Sequence, residues 1–201
     1  MALTDYASLT AAIADWLLRD DLSAVIPDFV TLAEAQINRD VRHWRMETRS
    51  AITLDARYVD LPDDWVETIR LIGDTNYRAI QLLSTDQLER LRPDATAGAP
   101  LYYAHTAGQI ELFPVPGESY TGEILYYAKV PALATNSTNW LLTEAPDVYL
   151  YGSLVQSAPY VVEDERLTTW ASLYGAAVQR LNDAGKMAKH SGTTLRVRPP
   201  R

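Results

Sequence analysis

No cysteine occurs among the 201 residues, which excludes disulfides, thiolate metal sites and cysteine nucleophiles together. Only three histidines are present, His43, His105 and His190. They fall in separate segments, no two at metal-ligand spacing, so no metal site is expected. No apolar run approaches the roughly 18 residues of a membrane span. The first residues lack the basic start and apolar stretch of a secretion leader, and the expected place of the chain is the cytoplasm of the cell that makes it. Neither a phosphate-cradling loop nor a dinucleotide fingerprint is present, so no cofactor is expected. Gly152-Ser153-Leu154 lacks the second glycine of a nucleophile elbow. The neighbouring acids Asp20–Asp21 and Asp63–Asp64 suit turns and caps, because adjacent side chains seldom face one substrate. No catalytic residue is nominated, and no enzyme is expected.

Phenylalanine is scarce as well, two residues against twelve tyrosines. Tyrosine suits surfaces that are buried on one side and wet on the other, as at subunit contacts. The hydrophobic fraction of 47% is ample for a core and excludes disorder throughout. Net charge is −8, but unevenly placed. Residues 186–201 carry five Lys or Arg and no acid, whereas the remainder carries thirteen against 26 acids. An acidic body does not hold duplex DNA through its phosphates. A short basic tail on such a body reads as an arm that reaches a partner.

Periodicity gives an α+β order, with a β lobe inserted between helices. Thr4 is a plausible N-cap, and Leu9, Ile13, Trp16 and Leu17 recur at helical spacing up to about Asp20–Asp21. Pro27 opens a second helix whose stripe is Phe29, Ala33, Ile37, Val41 and Trp44, and the two should pack as an antiparallel pair. From about Thr48 the period becomes that of strands: 51–54, 58–61, 68–72 and 78–83, with Gly73-Asp74-Thr75-Asn76 as a hairpin loop. Ser84 and Gln87 form a capping-box pattern for a short helix over 85–91. Pro93–Pro100 reads as a loop, and strands 101–105, 109–113 and 121–130 complete an antiparallel lobe. Helix returns at Thr143 with Pro146 in its first turn and Val148, Tyr151, Val155 and Ala158 on one face. Pro159 stops it. After Glu163, Asp164 and Glu165 a last helix follows, of about 26 residues or roughly 39 Å. The division is thus a helical body of 1–47 and 140–190, a β-rich lobe of 48–139 and an extended arm of 191–201.

Two surfaces stand out. Arg39, Arg42, Arg45 and Arg49 lie within about 120° of one another if the second helix reaches Arg49. Such a stripe can be a solvated face, a subunit contact or a phosphate-facing surface. Tyr102-Tyr103 and Tyr126-Tyr127 put aromatic rings on both faces of their strands, one for the core and one for an interface. Arg39, Arg42, Arg45, Tyr102 and Tyr126 are the candidates for a contact between copies. In the arm, Leu195 and Val197 alternate with Arg196 and Arg198 ahead of Arg201. An unpaired strand of this kind adds to an exposed sheet edge.

Leu61-Pro62-Asp63-Asp64-Trp65, and Asn139-Trp140-Leu141-Leu142-Thr143 running into Pro146-Asp147-Val148-Tyr149-Leu150-Tyr151, resemble the head-to-tail adaptor proteins of tailed bacteriophages. So do Ile13-Ala14-Asp15-Trp16-Leu17, 32–40 and Asp164-Glu165-Arg166-Leu167, in the same order along the chain. The resemblance implies a structural virion protein, made in the host bacterial cytoplasm and placed at the head–tail interface. It also implies a twelve-fold homo-oligomeric ring under the portal protein, with a tail or nozzle protein below. Double-stranded DNA would cross the channel without sequence-specific binding, and no membrane is involved. In that setting Leu195, Arg196, Val197, Arg198 and Arg201 would meet the portal. The alternatives are another neck ring, of the head-completion or tail-completion kind, or a small ligand-binding module or enzyme built on the β lobe.

Overall fold

Asp5, rather than Thr4, starts the first helix. The computed structural model describes residues 3–19, 21–73, 78–91, 96–161 and 165–191. In it the Asp5 carboxylate accepts from the Ser8 amide at 2.8 Å, and the Ser8 hydroxyl accepts from the Asp5 amide at 3.0 Å. This reciprocal box satisfies amides that helix geometry leaves without partners. Helix α1 (Tyr6–Leu17) ends before Asp20–Asp21, because Leu18 turns left-handed at φ 55° and closes back on Ala14 and Asp15. Helix α2 (Ile26–Asp40) carries Pro27 in its first turn and buries Phe29, Val30, Ala33 and Ile37. It stops at Asp40 because Val41 is extended, so Trp44 leaves the expected stripe for a short 3-10 turn, Trp44–Met46.

The chain divides into two compact units, one of residues 1–44 with 130–201, the other of residues 45–129. In the first, Asn139 caps the short helix α4 (Trp140–Glu144) by accepting from the Leu142 amide at 2.9 Å, so Thr143 lies inside a helix and caps none. Helix α5 (Pro146–Gln156) buries Val148, Tyr149, Leu150, Gly152, Ser153 and Leu154. Of the expected face only Val148 is among them, since Tyr151 and Val155 are half-buried and Ala158 is exposed beyond the helix end. The reason is its surroundings, since α1, α2, α4 and the last helix all pack against it. That last helix, α6 (Arg166–His190), has 25 residues and turns Trp170, Tyr174, Ala177 and Val178 inward. Glu163 and Asp164 lie outside the described residues, as does the arm beyond Ser191.

The second unit is a seven-stranded sheet. Its strands are β1 (Glu47–Leu54), β2 (Tyr58–Asp60), β3 (Trp65–Gly73), β4 (Arg78–Leu82), β5 (Tyr102–Thr106), β6 (Gln109–Phe113) and β7 (Tyr120–Ala128), in the order β1-β7-β3-β4-β5-β6-β2. All pairings are antiparallel except β4 with β5, which is parallel and corrects the wholly antiparallel expectation. The physical reason lies between them, where α3 (Thr85–Leu91) and the chain to 101 are long enough to carry the backbone back to the same end. The capping box of α3 forms as read: the Ser84 amide donates to Gln87 Oε1 at 3.0 Å and the Gln87 amide to the Ser84 hydroxyl at 3.3 Å. Residues 74–77 and 92–95, in two of the expected loops, are not described. Leu54, Leu71, Ile110 and Ile124 are fully buried at the centre of one core shared by both ends of the sheet.

Candidate functional site

The arginines do not form one helical face. Arg39 sits in the last turn of α2, and Arg42 lies past its end. The Arg42 amide donates to Asn182 Oδ1 at 2.8 Å, while its guanidinium donates to the carbonyls of Asn38 at 3.0 Å and Val41 at 2.7 Å. Arg42 therefore finishes a helix, supplying cationic donors to carbonyls that lack helical partners. Arg45 lies in the 3-10 turn, and Arg49 pairs from β1 with Glu123 on β7 at 2.9 Å. The expected stripe needed α2 to run on to Arg49, and the extended backbone at Val41 prevents it.

The tyrosines divide by face as strand alternation requires. Tyr103 and Tyr126 are buried, and Tyr102 and Tyr127 are half-buried. The Tyr126 hydroxyl donates to Asp64 at 2.9 Å, and burial, with that carboxylate beside it, holds the phenol up at about 12. Tyr126 thus belongs to the lobe's own core, which removes it from the contact candidates. Tyr102 packs beside Leu88, Ala104 and Phe113.

His43 is buried and stacked on Trp140, ring centres 5.3 Å apart, while His105 lies 5.2 Å from Trp65. Among the described residues no group of three or more His, Cys, Asp or Glu is placed to hold a metal ion. The side chain of His190 and the arm residues Leu195, Arg196, Val197, Arg198 and Arg201 lie outside the described residues.

Two features escaped the sequence reading. One is a buried polar network in the helical unit. Asn139 Nδ2 donates to the Tyr149 hydroxyl at 2.7 Å and to the Pro131 carbonyl at 2.7 Å, and Glu34 accepts the Leu133 amide at 2.7 Å. The Tyr149 hydroxyl in turn faces Glu34, whose carboxyl burial pushes above the usual carboxylate range. The second is an apolar surface at the end of α1. Trp16, expected inside, is 42% exposed, and Leu18 is 82% exposed. Beside them Arg166 donates to the Trp16 carbonyl at 3.0 Å and lies over the Trp170 ring at 5.0 Å. A left-handed leucine costs about 1–2 kcal/mol, and glycine would avoid this. Leu18→Gly is therefore expected to raise unfolding stability by about 1 kcal/mol, read by urea denaturation. A loss of stability instead would show that the exposed side chain supports the helical unit.

Residues 4–198 match the model of one protein family, described as SU10 adaptor protein. No curated protein matches the chain.

Proposed function

The chain belongs to the SU10 adaptor protein family, and on that premise we propose that it forms a ring between the portal and the tail of a tailed bacteriophage. The family is one of bacteriophage structural proteins that assemble with other proteins of the virion. The match over nearly the whole chain carries the reading, because it includes both compact units and their connections. Twelve copies, a portal protein above, a tail or nozzle protein below and DNA in transit through the centre complete the proposal. An acidic body suits a passage in which DNA slides without sticking, since phosphates find few cations to bind. No helix among the described residues is long and apolar enough to cross a membrane.

The contact between copies is proposed to use Arg39 and Tyr102 together with the Trp16–Leu18 surface, since large exposed apolar side chains become buried when copies meet. Electron microscopy of phage particles tests the proposal. A ring of this protein at the portal vertex, joined to portal on one side and tail on the other, is the expected result. Finding the protein elsewhere in the particle, or in a ring that touches only tail proteins, overturns it.

A further inference from the structure

Two glycines, Gly73 on β3 and Gly122 on β7, are register partners in the sheet. Both hold inward positions, Gly73 two residues after the buried Leu71 and Gly122 two residues before the buried Ile124. Their surroundings differ. A Cβ on Gly122 would meet methyls of Leu54 and Ile52 at 3.1 and 3.4 Å, so other side chains already take that place. A Cβ on Gly73 would meet only Ile80, at 3.7 Å. The space beyond it is a cavity of about 120 Å³, bounded also by Leu54, Pro100, Leu101 and Tyr120. At its edge the Leu101 amide donates to the Phe113 carbonyl and the Leu101 carbonyl accepts from the Gln81 amide, both at 2.9 Å. The main chain there needs no further partner. An apolar cavity of about 150 Å³ stays dry and accepts a guest the size of benzene, so this one suits a single branched aliphatic side chain.

The helical unit presents such a side chain. Leu18 is more exposed than any other large apolar residue among those described. It occupies the left-handed turn that ends α1, where glycine would sit without strain. So exposed a leucine gives its own helices almost no packing, and it does not fill the cavity of its own chain. A strained backbone that holds hydrocarbon out to water points to a contact made elsewhere. Local physics favours glycine at position 18 and a side chain at position 73, because glycine is a poor strand residue and the backbone of Gly73 is not left-handed. The chain has the reverse at both positions.

We propose that Leu18 of one copy seats in the cavity beside Gly73 of the next copy. Knob and socket lie on different surfaces of the chain, so the contact is head-to-tail, the kind that generates a ring when the rotation between copies closes. Charge at the two rims agrees. Arg19 and Asp21 flank the knob, paired at 2.6 Å but well exposed. Exposed Arg78 borders the cavity, and exposed Glu118 stands beside Tyr120. Seating the leucine lets Asp21 turn to Arg78 and Arg19 to Glu118, which fixes orientation as well as depth. The inference rests on the ring reading, since a second copy must lie within reach, and it names what the exposed end of α1 meets there.

Because the chain has no cysteine, introduced thiols report the contact without background. The test places Arg19→Cys beside the knob and Ala99→Cys beside the cavity in one full chain, assembled into phage particles and treated with a short bis-maleimide. A ladder of covalent multimers is expected on a denaturing gel, and each single-cysteine variant should run as monomer. Adding Leu18→Gly should cut the crosslinking roughly tenfold or more, the loss that one buried leucine implies, even though the same change stabilises the isolated chain. Leu18→Met keeps the bulk and should keep the ladder. Gly73→Val plugs the cavity and should cut crosslinking as strongly, with circular dichroism checking that the variant folds; if it does not, Leu18→Gly carries the test. Monomer alone from the double-cysteine chain, dimers from Arg19→Cys alone, or an undiminished ladder with Leu18→Gly each overturns the proposal. A ring seen at the portal vertex without the ladder would sink this inference alone. A ladder in particles whose ring lies away from the portal would sink the proposed place of the ring and support the contact.

Discussion

Replacing Tyr149 by alanine is expected to lower the unfolding free energy by about 3–5 kcal/mol. The side chain is fully buried, among the largest such in the protein, on the helix against which α1, α2, α4 and α6 pack. Part of the loss is a cavity that so constrained a helix cannot collapse to fill. The rest is polar. The hydroxyl takes a hydrogen from Asn139 and gives one to Glu34, and these two side chains also hold the Leu142 amide, the Pro131 carbonyl and the Leu133 amide. Tyr149→Phe separates the two parts: it keeps the ring and strands both partners, for an expected loss of about 1–3 kcal/mol. Its pH dependence adds a second reading. Burial already raises the Glu34 carboxyl, so the folded state binds more protons than the unfolded chain between the ordinary carboxylate value of 4.5 and the raised one. Stability from this group therefore falls as pH rises through that window. Without the phenol's hydrogen the window widens, and the fall should be larger in the Phe variant. Urea denaturation across pH 4 to 8 measures both effects, on the scale of about one pKa unit per 1.4 kcal/mol. A Phe variant as stable as the parent, with an unchanged pH profile, would show that the hydroxyl holds nothing.

Gly122 should tolerate no side chain. It lies in β7 between β1 and β3, opposite Ile52 on one strand and Gly73 on the other. A Cβ at this position would stand 2.8 Å from the Ile72 carbonyl oxygen and 3.1 Å from a Leu54 methyl. The first obstacle is backbone in a paired strand, so relief requires the sheet itself to shift. Gly122→Ala is expected to cost about 1–3 kcal/mol, and Gly122→Val more, through overpacking. Gly175 provides the contrast. A Cβ there meets nothing within 4 Å on an exposed turn of α6, so Gly175→Ala should gain about 1 kcal/mol from helix propensity. Thermal and urea unfolding of the two alanine variants should move in opposite directions. A stabilised Gly122→Ala would mean that the sheet is looser at this crossing than its geometry implies.

What could be read from the sequence was what local chemistry decides. Ser84 and Gln87 announce α3 because both partners of the box lie within one turn. Gln109 to Phe113 reads correctly as a strand because its turn, Ala107-Gly108, sits beside it and both residues take positive φ. The end of α2 was less legible. Arg42 looks like one more cation on a stripe until Asn182, 140 residues on, is seen to bind its amide. The pairing of β1 was out of reach for the same reason. Its partner is the last strand of the lobe, and nothing in residues 55–57 signals that the next strand will turn away. Tyr126 illustrates the limit for contact surfaces: alternation says that two faces differ, and only the Asp64 partner and the burial say which one faces inward. The Tyr149 network had no sequence signature, because an asparagine, a glutamate and a tyrosine more than a hundred residues apart at the extremes spell no motif.

One residue of α2 binds the chain both before and after the β lobe. The side-chain oxygen of Asn38 accepts from the amide of Val130 at 2.8 Å, and its carbonyl accepts from Arg42 at 3.0 Å. The chain therefore departs from the helical unit and rejoins it at a single helical turn, with the intervening 85 residues, 45–129, forming their own core. For the helices the whole lobe is equivalent to one long loop whose ends are already held together. Lengthening, trimming or wholesale exchange of that loop leaves the spacing of its two stems unchanged. A lineage of such proteins can then keep one set of helices and try lobe after lobe against changing neighbours, each trial judged on the lobe's own folding alone.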